Sequence, residues 1–204
     1  MKVATWLFAF SLLSPAGRIV NFEGCTLGQV PPGWTVVGAG KGLDWHVRKD
    51  QTAPTPPYVL AEVSADPNDS RSILNGLMAR DADVSVRMKP ISGREGLAGG
   101  VIWRYRDEMN YYAARANSTQ NTVSVFKVEN GRRIPLFTDV RHSIPINSWS
   151  ILKVSVRGAR FQVFVDHRRV LEGRDGGSSQ AGRVGLWALG DSTIYFDDFR
   201  VYPK

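Results

Sequence analysis

The chain predicts an all-β fold, a two-sheet antiparallel jelly-roll β-sandwich, and three observations carry that prediction. From Arg18 onward no segment sustains a 3.6-residue apolar period, while short runs alternate apolar and polar residues. Those runs are bounded by Gly, Pro, Asn or Asp. About a dozen follow one another without helical segments to cross between them, so the strands must pair antiparallel and stack in two layers.

In chain order, strands are expected near 18–23, 45–49, 57–63 and 72–78. The next is DVSVRMK at 83–89, where Val84, Val86 and Met88 share one face. Others fall near 99–106, 111–117, 121–128 and 133–137. ILKVSVRGARFQVFVD, 151–166, reads as a hairpin that turns at Arg157-Gly158-Ala159 and keeps Leu152, Val154 and Val156 on one face. The series closes near 168–172, 182–188 and 193–202. The segments APTPPYV, 53–59, and Pro67 to Ser70 read as surface loops. Neither separates two composition regimes, so residues 17–204 are expected to form one domain.

The 204 residues, 43% hydrophobic and 22% charged, suit one globular domain and exclude a disordered chain. The net charge of +7 attracts anions in general, yet no run of consecutive Lys or Arg exceeds two. No specific nucleic-acid partner is therefore expected. Cys25 stands alone, which excludes an internal disulfide and a CxxC site. His46, His142 and His167 lack HxH or HExxH spacing, so a zinc site has no support. Residues 1–16, MKVATWLFAFSLLSPA, combine one lysine, an apolar run and small residues at Ser14 and Ala16, as a secretory signal peptide does. The run falls short of the roughly 20 apolar residues of a transmembrane span. A secreted or periplasmic protein without a transmembrane segment is expected.

The stretch GGVIWRYRDEMNYYAARAN, 99–117, is the richest in chemistry. With Glu108-Met109 at a hairpin tip and Tyr105 facing Tyr112, one face collects Val101, Trp103, Tyr105, Tyr112, Ala114 and Ala116. The other face carries Arg104, Arg106, Tyr111, Arg115 and Asn117. The next strand extends this if Val123 pairs with Ala116 and Val125 with Ala114, sending Thr122, Ser124 and Phe126 to the polar face. Trp103, Tyr105 and Tyr112 are then core. Arg104, Tyr111, Arg115 and Asn117 become ligand candidates, because guanidinium forks and a ring hydrogen-bond and stack on a sugar or carboxylate.

Several carboxylates need partners. In STIYFDDFRV, 192–201, alternation puts Tyr195, Asp197, Phe199 and Val201 on one face, which buries Asp197 among apolar residues. Backbone N–H groups, an arginine or a metal ion would each satisfy it. Asp107, Glu108 and Asp166 read as turn residues, whereas Asp175, in the loop EGRDGGSSQAG, is a further ligand candidate.

The segments NFEG and PPGW (21–34), GGVIWRYRD..NYY..RAN (99–117), VFKVENGRR (125–133), W..LKVSVRG.RFQVFVD (149–166) and AGRVGLW...DS..YFDDFRV (181–201) together resemble bacterial secreted proteins of the concanavalin A-like lectin/glucanase superfamily. The resemblance runs to the 3-keto-disaccharide hydrolase domain family, loosely labelled family-16 glycoside hydrolase-like. It implies a jelly roll that handles carbohydrate. It also implies a structural Ca²⁺ where an amino-terminal Phe-Glu meets a carboxy-terminal Asp-Asp, here Glu23 with Asp197 and Asp198; hard oxygens suit that ion. The retaining-glucanase pattern E-x-D-x-x-E is absent: Glu23, Glu62, Glu95, Glu108, Glu129 and Glu172 all stand apart. A secreted carbohydrate-binding or glycan-interacting module is expected. The alternative is a hydrolase of 3-keto-disaccharides or related glycosides, with Asp175, His142 and Glu172 as acid/base candidates.

Overall fold

Apolar–polar alternation produces a strand at every expected position, and no helix forms among the described residues. The computed structural model describes residues 17–38, 43–65, 68–94, 96–177 and 180–204, so the expected signal peptide lies outside them. The strands are β1 Arg18–Val20, β2 Trp34–Gly38, β3 Trp45–Lys49, β4 Tyr58–Glu62, β5 Ser70–Ala79, β6 Ala82–Ser92, β7 Ala98–Asp107 and β8 Asn110–Asn117. They continue as β9 Thr122–Glu129, β10 Arg132–Arg141, β11 Ser150–Arg157, β12 Arg160–Val165, β13 Arg168–Arg174, β14 Gly182–Ala188 and β15 Thr193–Pro203. Only β2 was not expected; its WTVVG follows a Pro-Pro-Gly turn signal that masks so short a strand.

Two antiparallel sheets result. The larger has the order β13-β12-β11-β6-β15-β4-β3, with β1 added on β15. The smaller has the order β10-β9-β8-β7-β14-β5-β2. Their facing sides bury Leu74, Val84, Met88, Val101, Trp103, Ala114, Val125, Leu152, Val154, Val163, Leu186, Phe196 and Phe199 in one core. The expected jelly-roll sandwich is therefore the observed fold.

Turn chemistry fits each hairpin. Gly158, at φ 55°, closes β11 onto β12 with Arg157 opposite Arg160. Asp166 and His167 both take positive φ, and the Asp166 carboxylate accepts the Ile151 N–H at 2.7 Å.

A polar knot joins the two sheets at one end of the core. The Trp45 indole N–H donates to Ser70 Oγ at 2.9 Å, and Ser70 Oγ donates to Glu62 Oε1 at 3.3 Å. The Ser64 N–H and hydroxyl add two more bonds to the same oxygen. Trp45 also stacks on Phe196, with ring centroids 5.5 Å apart. Ser70 belongs to the smaller sheet, while Trp45, Glu62 and Phe196 belong to the larger.

Glu62 is fully buried, and burial pushes its carboxyl up to about 7 against the pull of the serine hydrogen bonds. A folded-state value above the unfolded one means the contribution is complete below about pH 4.5 and is lost as pH rises through about 7. Thermal unfolding should therefore show stability falling by about 3 kcal/mol from this group between pH 4 and 8. Glu62→Gln should flatten that fall; pH profiles that stay parallel in the two proteins would refute the assignment.

Candidate functional site

The hairpin of β7 and β8 forms in the expected place with one change of phase. Val101 pairs with Ala114, Trp103 with Tyr112 and Gly99 with Ala116, and the side chains of Val101, Trp103, Tyr112, Ala114 and Ala116 enter the core. Val123 faces Ala116 and Val125 faces Ala114, as expected. Beyond Trp103 the register shifts, and Arg104 adopts φ 50°. The phase change reverses the expected sides of the next two residues. Arg104 is buried, with its Nε on Arg80 O at 2.8 Å and its Nη2 on Asp81 Oδ1 at 3.0 Å and Gly158 O at 2.6 Å. It fastens the sandwich edge instead of facing a ligand. Tyr105 leaves the inner core and packs beside Tyr111 on the outer face, with centroids 5.9 Å apart.

That outer face of the smaller sheet is itself apolar at its centre. Ile73, Ile102, Ala113 and Trp187 have no exposure, and Tyr105, Tyr111 and Phe126 pack around them. Arginines roof these rings. Arg133 lies 4.3 Å from the Phe126 centroid and 5.7 Å from Trp187, Arg71 lies 5.3 Å from Tyr111, and Arg183 lies 5.1 Å from Tyr105. Arg71 is fixed by the Tyr111 hydroxyl at 3.0 Å and Glu108 at 3.2 Å, and Arg133 is paired with Asp69.

Strand register lines up the polar groups of this face. Ser124, Arg115, Gly100, Trp187, Arg71 and Val37 are successive cross-strand partners through β9, β8, β7, β14, β5 and β2. Within this row, Arg115 Nε, Trp187 Nε1 and Arg71 Nε are all buried and have no acceptor among the described residues. Unpaired buried donors are uncommon and costly in a folded chain. Burial and the neighbouring Arg133 charge both push the Arg115 guanidinium below its ordinary range, while Asp139 and Asp69 oppose them. Next to Arg115, where β10 shifts register against β9, opens a cavity of about 230 Å³ lined by Ser124, Phe126, Arg133, Pro135, Phe137 and Thr138. A second hollow, lined by Gln120, Thr122, Asp139 and Arg141, lies further along the same two strands.

Of the residues singled out by sequence, Tyr111 and Arg115 share this face. Asn117 shares its parity but is buried and committed to its own turn, bonding Gln120 through both its Nδ2 and Oδ1 atoms. Asp175 lies elsewhere: it accepts the Tyr112 hydroxyl at 2.7 Å and pairs with Lys127 at 3.4 Å. Glu172 is held by Arg160 and Arg169. Sequence reasoning did not single out Arg71, Arg133 or Trp187. The signal was present in β14, where Val184, Leu186 and Ala188 alternate with Gly185 and Trp187: a tryptophan on the outward parity marks a covered face.

The expected metal-site residues also meet around one loop. Asp197 is fully buried and accepts the Thr55 N–H at 2.8 Å and the Asp198 N–H at 2.7 Å. Asp198 accepts the Thr55 hydroxyl and pairs with Arg87 at 3.3 Å and Arg200 at 3.2 Å, while Glu23 accepts the Tyr58 N–H at 2.9 Å. A register shift after Asp197, with Asp198 at φ 48°, leaves Ile194, Phe196, Phe199 and Val201 in the core, so Tyr195 is not on the face of Phe199 as alternation suggested. Burial, together with the Asp198 and Glu23 charges, raises the Asp197 carboxyl to about 6. Among the described residues no group of three or more His, Cys, Asp or Glu is placed to hold a metal ion. The donor atoms are hard oxygens, the kind Ca²⁺ takes, but Asp198 is already paired with Arg87 and Arg200.

No family model matches the chain. It is 25% identical over 167 residues to the levanase of Bacillus subtilis (strain 168), a match covering 81% of this chain. The chain spans about 22% of that curated relative's length. Among solved structures, the carbohydrate-binding module CBM66 from Bacillus subtilis superposes with a TM-score of 0.67 at 24% identity, over 83% of this chain and 95% of that one. The β-glucanase of Bacillus licheniformis gives 0.61 at 12% identity, over 93% and 98%. These likenesses show a shared two-sheet jelly-roll fold. Among the described residues no helix is long and apolar enough to cross a membrane.

Asp175 is assigned here to the scaffold. Asp175→Ala should lower stability to urea by about 2 kcal/mol, because it strips the Lys127 ammonium and the Tyr112 hydroxyl of an acceptor. A loss below roughly 0.5 kcal/mol, the range of neutral surface changes, would return Asp175 to the ligand candidates.

Proposed function

We propose that this chain is a secreted glycan-binding module that takes a sugar on the outer face of the smaller sheet, across the row Arg115, Gly100, Trp187 and Arg71. One observation carries the reading: three buried N–H donors of that row lack an acceptor, and one of them, on Arg115, adjoins a cavity walled by Phe126 and Arg133. Sugar hydroxyls and ring oxygens are acceptors, and the C–H faces of a sugar pack on aromatic rings. Gly100 contributes no side chain between Arg115 and Trp187, and it is the Arg115 end of the row that opens onto the cavity. The curated relative's name and the carbohydrate-binding neighbour support a glycan, and the name levanase makes a levan-type fructan the first ligand to test.

The alternative of a hydrolase acting on 3-keto-disaccharides requires a free acid and base together on this face. Of the carboxylates near the row, Glu108 and Asp69 are engaged by arginines, Arg71 and Arg133, and Asp139 acts on Arg115. Binding without turnover is accordingly the reading we favour.

Isothermal titration with levan, inulin, xylan and cello-oligosaccharides is the direct test. At least one should bind, with no new reducing ends released. Arg115→Ala and Arg71→Ala should each weaken that binding at least about tenfold, since a hydrogen bond from a charged group is worth roughly 1.5–3 kcal/mol. Trp187→Phe should weaken it less, by removing one donor while keeping the ring. Absence of binding to all four, or affinities unmoved by both arginine changes, defeats the proposal.

Glu23, Asp197 and Asp198 would hold Ca²⁺ away from this face, where the ion would offset their mutual repulsion and fasten the Thr55 loop to β15. At a hundred times its Kd the ion adds about 2.7 kcal/mol of stability. Tm should then rise by roughly 5–10 °C on adding calcium after chelation, and Asp197→Asn should abolish the rise. Equal Tm values in calcium and in EDTA would remove the metal from the proposal.

A further inference from the structure

The opposite surface, the outer face of the larger sheet, carries a separate arrangement. Cross-strand partners through β13, β12, β11, β6 and β15 bring Arg169, Phe164, Lys153, Ser85 and Arg200 into one row. Arg87 lies one outward position further along β6, and Tyr202 one outward position further along β15. Arg87, Lys153, Phe164, His167, Arg200 and Tyr202 line a groove of about 370 Å³ over Ser85, the small residue at its centre. Phe164 and Tyr202 are its aromatic members, and Lys153 lies 5.6 Å from the Phe164 centroid.

The cations of this face are held in place from below. Asp198 binds Arg87 at 3.3 Å and Arg200 at 3.2 Å. Asp83 binds Lys153 at 3.2 Å, Arg157 at 3.0 Å and Lys204 at 3.9 Å. The two carboxylates are mostly covered, with side-chain exposures of 10% and 19%, whereas the five cations are 38–45% exposed. Each carboxylate thus orients more positive charge than it cancels. A guanidinium that spends one or two N–H groups on Asp198 keeps the others for an external anion.

We propose that this groove binds acidic polysaccharide, through the sugar carboxylates on Arg87, Arg200 and Lys153 and through sugar rings against Phe164 and Tyr202. Charge spacing selects this partner over duplex DNA. DNA presents one negative charge per about 1.7 Å, and Asp83 and Asp198, interleaved with the cations, would repel so dense a line. A polymer with one carboxylate per sugar places its charges further apart and offers a ring between them. The site is independent of the glycan row on the smaller sheet, and neither needs the other.

The experiment titrates the whole chain with polygalacturonate, and in parallel with neutral dextran, a DNA duplex and vesicles containing anionic lipid. Polygalacturonate should bind at 50 mM salt and weaken at least about tenfold by 300 mM, because half-exposed charges are screened within a Debye length of about 10 Å. Arg87→Gln combined with Arg200→Gln should weaken it at least about tenfold, and Arg115→Ala, on the other face, should leave it unchanged. If the double variant unfolds, Lys153→Gln with Tyr202→Ala replaces it and should lose binding to a similar degree. The proposal fails if polygalacturonate does not bind at low salt, if Arg115→Ala weakens it as much as the groove variants, or if DNA or vesicles bind as tightly and lose as much with the groove changes. A folded groove variant that binds normally also overturns it.

Discussion

The arrangement of this molecule depends on one constraint: the smaller sheet is apolar on both faces, yet only one face can pack against the larger sheet. Trp187, Ile102 and Ile73 face away from the sandwich core and still have no exposure. Their cover comes from side chains of the same sheet, aromatic rings first and guanidinium groups above them. Arginine suits this task because its planar, weakly hydrated head lies on a ring while its polar edge stays wet. The roof conceals Trp187 and, by the same geometry, traps N–H donors where no protein acceptor reaches them. Under the proposed reading, the atoms that cover this face would also recognise the sugar.

Close backbone packing supports the row from beneath. A Cβ on Gly100 would lie 2.3 Å from Ala114 O, and one on Gly185 would lie 2.4 Å from Ser72 O. The strands approach too closely there for any side chain beside Trp187. Larger residues at either position would shift strands that also form one wall of the core.

Period-two alternation made most of the fold legible, because one face of each strand had to be dry. The pairings of Val101, Trp103, Ala114, Ala116, Val123 and Val125 follow from that rule, and so does the parity of Tyr111 and Arg115. The rule fails where a residue leaves extended geometry. Arg104 at φ 50° and Asp198 at φ 48° each shift the phase of the strand beyond them. Asp tolerates that conformation and gives a faint local signal, but arginine gives none. Tyr105 and Arg104 were consequently assigned to each other's side. Asn117 failed for another reason: parity states which face a side chain joins, and cannot show that its amide is already bound to Gln120. Arg71, Arg133 and Trp187 come from three strands far apart in the chain, and only sheet order makes them neighbours.

The two outer faces use positive charge in physically different ways. On the smaller sheet, arginines lie on rings and their trapped donors require acceptors at contact distance, a short-range demand that salt screens little. On the larger sheet, the cations stand on two carboxylates and project charge into solvent, where attraction extends over about a Debye length and fades as salt is added. Layers of one sandwich separate the two surfaces, so a polymer held on one does not obstruct the other. On the two proposals, long-range attraction would raise the local concentration of an acidic matrix at one face, while shape and hydrogen bonding would select a sugar at the other. Ionic strength should therefore separate the two activities: a response confined to the larger sheet would show that the chain's excess positive charge serves attraction to a matrix and leaves sugar selection to the opposite face.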